Sequence, residues 1–91
     1  MKILTIGYDS TSEKYLLYDG TPGEFGNSSA RLDEDNLERE VREYLCERGL
    51  DKRKMILEVP SNANSKGKLC DLIDIILAVN PLAIKPKLKS N

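Results

Sequence analysis

The chain has 91 residues, of which 14 are Lys or Arg and 15 are Asp or Glu, for a net charge of −1. This length suits one hydrophobic core, so we expect residues 1–91 to form a single domain, and a near-neutral charge disfavours a nucleic-acid-binding domain. Histidine is absent, which excludes Ser-His-Asp and Cys-His catalysis and removes the commonest zinc ligand.

The first 18 residues predict a β-hairpin. Lys2–Tyr8 has apolar side chains at the two-residue period of a strand, with Ile6 on one face and Ile3 on the other. Residues 9–12 supply the polar side chains of a turn, and Tyr15–Tyr18 is a second short strand. The short connection makes the two strands antiparallel.

A long loop and then a helix follow the hairpin. Asp19–Ser29 is rich in glycine, serine and asparagine without an apolar period, which is typical of a loop. Asp33 is a suitable N-cap, and Gly49 stands where a left-handed C-cap is needed. Between them one apolar stripe recurs at helical spacing: Leu37, Val41, Tyr44 and Leu45.

The next two elements are a buried strand and a second helix. Lys54–Val59 is almost continuously apolar, as in a central strand, and Pro60 ends it. Ser65 is the predicted cap of a helix that runs to about Val79, where Asn80 is expected to adopt the left-handed conformation. The apolar stripe of this helix consists of Leu69, Leu72, Ile73, Ile76 and Leu77.

The last predicted strand is Leu82–Leu88, and we expect it at the edge of the sheet. Pro86 has no N–H group to donate to a neighbouring strand, which confines the strand to an edge or a bulge. Unpaired backbone groups at an edge can accept another strand, so we expect a protein partner to bind here. The predicted partner-binding residues are Leu82, Ile84, Lys85, Lys87 and Leu88, with the two lysines facing away from Ile84 and Leu88.

These elements predict an α/β fold of the two-layer α+β sandwich type. Their order is strand, strand, helix, strand, helix, strand. Because each helix has a single apolar stripe, both helices are expected on one face of a four-stranded mixed sheet.

We expect no catalytic site, metal site or cofactor. The acidic side chains of the first helix alternate with Arg39 and Arg42 at ion-pair spacing, which is typical of a solvated helix face. Asp71 and Asp74 are the only acidic residues on the second helix, and two carboxylates make a poor cation site. The lysines near the C-terminus lack the interleaved aromatic side chains of a nucleic-acid site, so nucleic acid is not the expected partner.

A strand, a short polar loop, a glycine and a helix follow one another between residues 55 and 79. The strand is Met55–Val59, the loop is Pro60–Lys66, and the glycine is Gly67. The helix then carries an apolar pair followed by an aspartate, at Leu72, Ile73 and Asp74. This arrangement resembles the C-terminal periplasmic domain of the ExbD/TolR family, and the layout of residues 2–88 is similar to it as well.

The resemblance implies a non-enzymatic interaction domain of a biopolymer transport complex driven by an ion-motive force. Such a domain would dimerise on the periplasmic face of the inner membrane, beside an ExbB/TolQ-like membrane partner. The longest apolar run here, Ile75–Val79, is far shorter than the roughly 20 residues of a membrane helix. We therefore expect no membrane segment in this chain, and the resemblance implies that it is part of a longer membrane protein.

The alternative is a cytoplasmic adaptor or small regulatory protein. It would bind a protein or a nucleic acid through the edge that carries Lys85 and Lys87. A steep dependence of binding on salt concentration would indicate nucleic acid, because each phosphate contact releases counterions.

Overall fold

The computed structural model describes residues 2–20, 30–60, 63 and 67–86. These residues form five strands, two α-helices and one turn of 3₁₀-helix. The strands are β1 (Lys2–Asp9), β2 (Lys14–Asp19), β3 (Ala30–Leu32), β4 (Met55–Glu58) and β5 (Ala83–Ile84); the 3₁₀ turn is Glu34–Asn36, and the helices are α1 (Leu37–Glu47) and α2 (Leu69–Val79).

The strands form one mixed sheet in the order β3-β2-β1-β4-β5. β1, β2 and β3 pair antiparallel in succession, whereas β4 is parallel to β1 and β5 is parallel to β4. The chain crosses from β3 to β4 through α1, and from β4 to β5 through α2, in the same direction along the sheet. Right-handed crossovers in the same direction place both helices on the same face.

The core lies between that face of the sheet and the two helices. Leu4 and Ile6 of β1 face the core, and in β4 Met55 and Leu57 do the same; all four are almost completely buried. Burial of such side chains contributes roughly 1.5–3 kcal/mol each. Helical residues complete the core: Leu37, Val41, Tyr44 and Leu45 of α1, and Leu69, Leu72, Ile73 and Ile76 of α2.

The ends of α1 follow the predicted chemistry. The Asp33 side chain accepts a hydrogen bond from the backbone N–H of Asp35 at 3.1 Å, which caps the 3₁₀ turn that leads into the helix. Gly49 has a φ of 66°, the left-handed conformation that ends a helix at low cost only in glycine. The prediction for Gly49 is therefore confirmed, whereas Asp33 caps the 3₁₀ turn and the N-cap of α1 itself is Asn36.

The prediction of four strands was wrong, because β3 is a fifth strand. Only three residues, Ala30, Arg31 and Leu32, form it. Three residues are too few to show the alternation of a strand, and Arg31 interrupts the apolar pattern. Pairing with β2 rather than local sequence makes this segment extended. The predicted loop Asp19–Ser29 lies mostly outside the described residues, as does Ser65, the predicted cap of α2.

Asn80 ends α2 through hydrogen bonds of its side chain and not through the predicted left-handed backbone. Its backbone is extended, with φ −129° and ψ 94°, so the prediction of a left-handed cap was wrong. The side chain is buried and its Nδ2 donates to the carbonyl oxygens of Leu50 and Arg53, at 2.7 and 2.8 Å. Its Oδ1 accepts from the backbone N–H of Leu82 at 3.0 Å. An amide supplies both donors and an acceptor, which these three backbone groups require.

The last strand is at a sheet edge, as predicted, but it begins later than predicted. β5 pairs only with β4 and comprises Ala83 and Ile84 within the described residues. Leu82 lies in the preceding turn, which the Asn80 side chain holds through the backbone of Leu82. Lys87 and Leu88 lie outside the described residues.

Replacing Asn80 by alanine is expected to lower the free energy of unfolding by about 2–4 kcal/mol. The change removes three hydrogen bonds: the one to the Leu50 carbonyl is buried, where an unsatisfied group costs roughly 1–3 kcal/mol, and the other two are partly buried and contribute less. Urea denaturation measures the difference. Asn36→Ala is the matched control, because its amide makes one weak hydrogen bond, to Asp33 at 3.3 Å. Equal losses in the two variants would contradict this account of Asn80.

Candidate interaction surface

The predicted partner-binding residues that the structure describes are exposed. Leu82 is 48% exposed and Ile84 is 45% exposed, and these are the most exposed large apolar side chains in the described part of the chain. Lys85 is exposed as well. An apolar side chain that stays in contact with water at a sheet edge contributes little to the stability of the domain and is available to a partner.

Ile84 belongs to a row of three isoleucines on the face of the sheet away from the helices. The register pairs Ile3 of β1 with Ile56 of β4, and Ile56 with Ile84 of β5. Paired residues on neighbouring strands point to the same side of a sheet. Ile3 and Ile56 are half-buried, so all three side chains reach solvent. We call Ile3, Ile56 and Ile84 the isoleucine row, and the face that carries it the open face.

A shallow groove of about 330 Å³ adjoins the isoleucine row at the carboxyl ends of β4 and β5. Its walls are mainly apolar, and its charged members are Glu58 and Lys85, both exposed. The groove therefore joins an apolar floor to one acidic and one basic group. The complete lining is Ile56, Leu57, Glu58, Val59, Ile84, Lys85 and Pro86.

On the open face, the part of β1 that contains Thr5 and Gly7 is covered by neighbouring side chains of β2. Gly7 of β1 is buried, and a Cβ atom built there would lie 3.4 Å from the ring of Tyr18 and 3.8 Å from Leu16. Thr5, completely buried on the same face, donates its hydroxyl to the carbonyl oxygen of Gly20 at 2.5 Å. This part of the face is thus already covered, in contrast to the isoleucine row.

A charged cluster marks the far end of the open face. Asp9 accepts hydrogen bonds from the hydroxyl of Ser12 at 2.7 Å, the backbone N–H of Thr11 at 3.1 Å and Nε of Arg31 at 3.2 Å. These donors, Ser12 foremost, lower the pKa of the Asp9 carboxyl below its usual value of 3.8. With its oxygens occupied by this turn and by Arg31, Asp9 links β1 to β3 across β2.

The family-motif positions lie on the other side of the sheet from Ile84. Leu72 and Ile73 are core residues, almost fully buried between the helices and the sheet. Asp74 is exposed and lines a surface groove beside Glu38 and Arg42 of α1. Gly67 is exposed, with open space where a side chain would stand. Packing in the core accounts for the apolar pair, Leu72 and Ile73.

The apolar surface of α2 extends beyond its core stripe. Cys70 and Ala78 are exposed and Ile75 is half-buried, and the groove beside them, of about 230 Å³, is mostly apolar. Cys46 is exposed too, and both cysteines are free. This groove is smaller than the one beside the isoleucine row and has no large apolar side chain as exposed as Ile84.

The described residues contain no group of three or more potential ligands that could hold a metal ion. Burial raises the pKa of Tyr15 and of Tyr44 above the usual value of 10.0. Both phenols are therefore neutral at physiological pH and act as core residues. In the part of the chain that the structure covers, no helix is long and apolar enough to cross a membrane.

Comparison with known proteins gives no relative: no family model, curated protein or solved structure matches this chain. The sequence indicated Ile84 but not Ile3 and Ile56 as surface residues. The alternation of β1 already put Ile3 opposite Ile6, but only the strand register shows that the three isoleucines form a row.

The lowered pKa of Asp9 predicts a pH-dependent contribution to stability. A depressed carboxyl pKa stabilises the fold at pH values above the unfolded pKa, and this contribution is lost as the pH falls through the folded pKa. Asp9→Asn is therefore expected to be less stable than the native protein at pH 7, with a smaller difference at pH 3. Urea denaturation at both pH values measures this, and Asp74→Asn controls for the loss of one exposed negative charge. A difference that stays constant with pH would contradict the prediction.

Proposed function

We propose that this chain is a non-enzymatic interaction domain that binds a protein partner through β5 and the isoleucine row. The observation that carries the proposal is the exposure of Leu82 and Ile84, at 48% and 45%, beside a mainly apolar groove. Other large apolar side chains of the described residues are buried or half-buried. Exposed apolar groups that adjoin one another are typical of binding surfaces.

A photo-crosslinking residue at position 84 tests the proposal in the cell that makes the protein. We expect a discrete covalent adduct on a partner protein from position 84, and none from position 39 in α1, where Arg39 is also exposed. Ile84→Ser should weaken binding with little loss of stability, because a half-exposed side chain at a sheet edge supports little packing. Equal adduct formation from positions 84 and 39, or none from position 84, would sink the proposal.

We further propose an ExbD/TolR-like setting for this domain, in which it dimerises and engages envelope components beside an ExbB/TolQ-like partner at the periplasmic face. What supports it is the resemblance over residues 55–79, together with a mixed sheet and two helices. The alternative setting is a cytoplasmic adaptor, favoured by the exposed Lys85 at the rim of the groove.

The intact mass of the native product separates the two settings. An ExbD/TolR-like protein is expected to be longer by at least the roughly 20 residues of a spanning helix and to sediment with membranes. A product of 91 residues in the soluble fraction would contradict that setting and favour the adaptor. The interaction proposal itself holds in either case, because it depends on the surface of β5 and not on the compartment.

A further inference from the structure

Exposed basic side chains flank β5 at both of its ends. Three of them are consecutive in the segment that leads into β4, and the fourth follows β5 directly. All four are exposed to solvent. We call these residues the basic border, and they are Lys52, Arg53, Lys54 and Lys85.

Hydrogen bonds hold the basic border against the turn that carries Leu82. The Asn80 amide donates to the carbonyl oxygen of Arg53 at 2.8 Å and accepts from the backbone N–H of Leu82 at 3.0 Å. The register of β4 with β5 also places Lys54 and Leu82, each one residue before a paired position, at the same end of the two strands. The basic charges and the exposed leucine therefore belong to one surface.

No acidic side chain within the described residues forms an ion pair with the basic border. The ion pairs in this part of the chain use other basic groups: Lys2 with Asp19, Arg31 with Asp9 and Arg42 with Glu38. Two acidic residues are close by. Glu58 lines the groove beside β5, and Asp51 is half-buried and accepts a hydrogen bond from the thiol of Cys46 at 3.7 Å. The surface around β5 is therefore positively charged on balance.

This combination of charge and exposed apolar groups defines the chemistry of the partner. From it we infer that β5 binds a protein segment in which acidic side chains flank apolar ones. The apolar side chains of the partner contact Leu82 and Ile84, and its carboxylates contact the basic border. Complementary charges steer the partner to this surface and disfavour basic proteins. The inference rests on the proposed function and adds the chemistry of the partner.

The apolar groups on this surface favour an acidic protein over a nucleic acid. Leu82 and Ile84 are 48% and 45% exposed, and a phosphate backbone has no apolar surface to cover them. Single-stranded nucleic acids bind where bases can stack on aromatic rings. Within the described residues, neither the basic border nor the lining of the groove beside β5 includes an aromatic side chain.

Two successive crosslinking reactions test the inference. In the native cell, p-benzoylphenylalanine at position 84 captures the partner, and a carbodiimide then joins lysine amines to carboxylates that are in direct contact with them. Mass spectrometry maps the joined residues. We expect links from Lys52 or Lys54 to Asp or Glu residues of the captured partner. Lys14 and Lys68, which are exposed on other parts of the domain, are expected to form none.

Charge reversal provides a second measurement. The double variant Lys52→Glu, Lys54→Glu is expected to lower the yield of adduct from position 84 roughly tenfold, because an exposed ion pair changes affinity up to about fivefold and reversal adds repulsion. The matched control, Lys14→Glu with Lys68→Glu, changes the net charge equally and is expected to retain the yield. Circular dichroism verifies that both variants fold, and the carbodiimide links need neither variant.

The two measurements separate the inference from the proposed function. An adduct from position 84 without links from Lys52 or Lys54 would overturn the acidic-partner inference and leave the proposed function standing. An undiminished yield in the Lys52→Glu, Lys54→Glu variant, or equal losses in both double variants, would do the same. Attachment to a nucleic acid, or no adduct from position 84, would overturn both.

Discussion

The buried amide of Asn80 fixes the position of the whole β5 side of the sheet. It joins the end of α2 and the turn directly after it to the segment between α1 and β4, which lies 27 to 30 residues earlier in the chain. Because Leu50 and Arg53 are themselves held at the end of α1 and the start of β4, the amide transmits their position to Leu82. A strand of two residues has little pairing of its own, so its place beside β4 depends on this connection.

Chain order imposes a second constraint, because it leaves one face of the sheet without helices. The first three strands in the chain, β1 to β3, all lie on one side of β4 in the sheet, and β5 lies on the other side. Any helix in these crossovers packs on the same face, whatever its sequence. Over β1 and β2 the domain compensates with Tyr18 and Leu16 above Gly7. Over β4, β5 and the start of β1, the described residues supply no comparable cover, and there the isoleucine row reaches solvent.

Features that depend on near neighbours in sequence were predictable. The hairpin, the stripes of α1 and α2, the Asp33 cap and the left-handed Gly49 all follow from spacings of two to four residues. Non-local features were not. β3 is extended because it pairs with β2, and Asn80 is extended because its partners stand 27 and 30 residues earlier. The isoleucine row could be recognised only from the order of β1, β4 and β5 in the sheet, because these strands are far apart in sequence and crossovers bring them together. Individual residues of the surface could thus be identified, but not their arrangement.

The sequence indicated two sets of functional residues: the motif positions on α2 and the edge residues around Ile84. Packing within the domain explains the first set but not the second. Leu72 and Ile73 are apolar because they fill the core, and Asp74 is polar because its position on α2 faces solvent. Any helix that packs on a sheet through one apolar stripe has apolar pairs followed by polar residues. The apolar pair and aspartate of α2 therefore reflect packing, and they do not identify a partner. Ile84 is different, because burial in this domain does not account for its apolar side chain. The proposed binding of a partner would account for this apolar side chain, whereas packing within the domain already accounts for the helix motif.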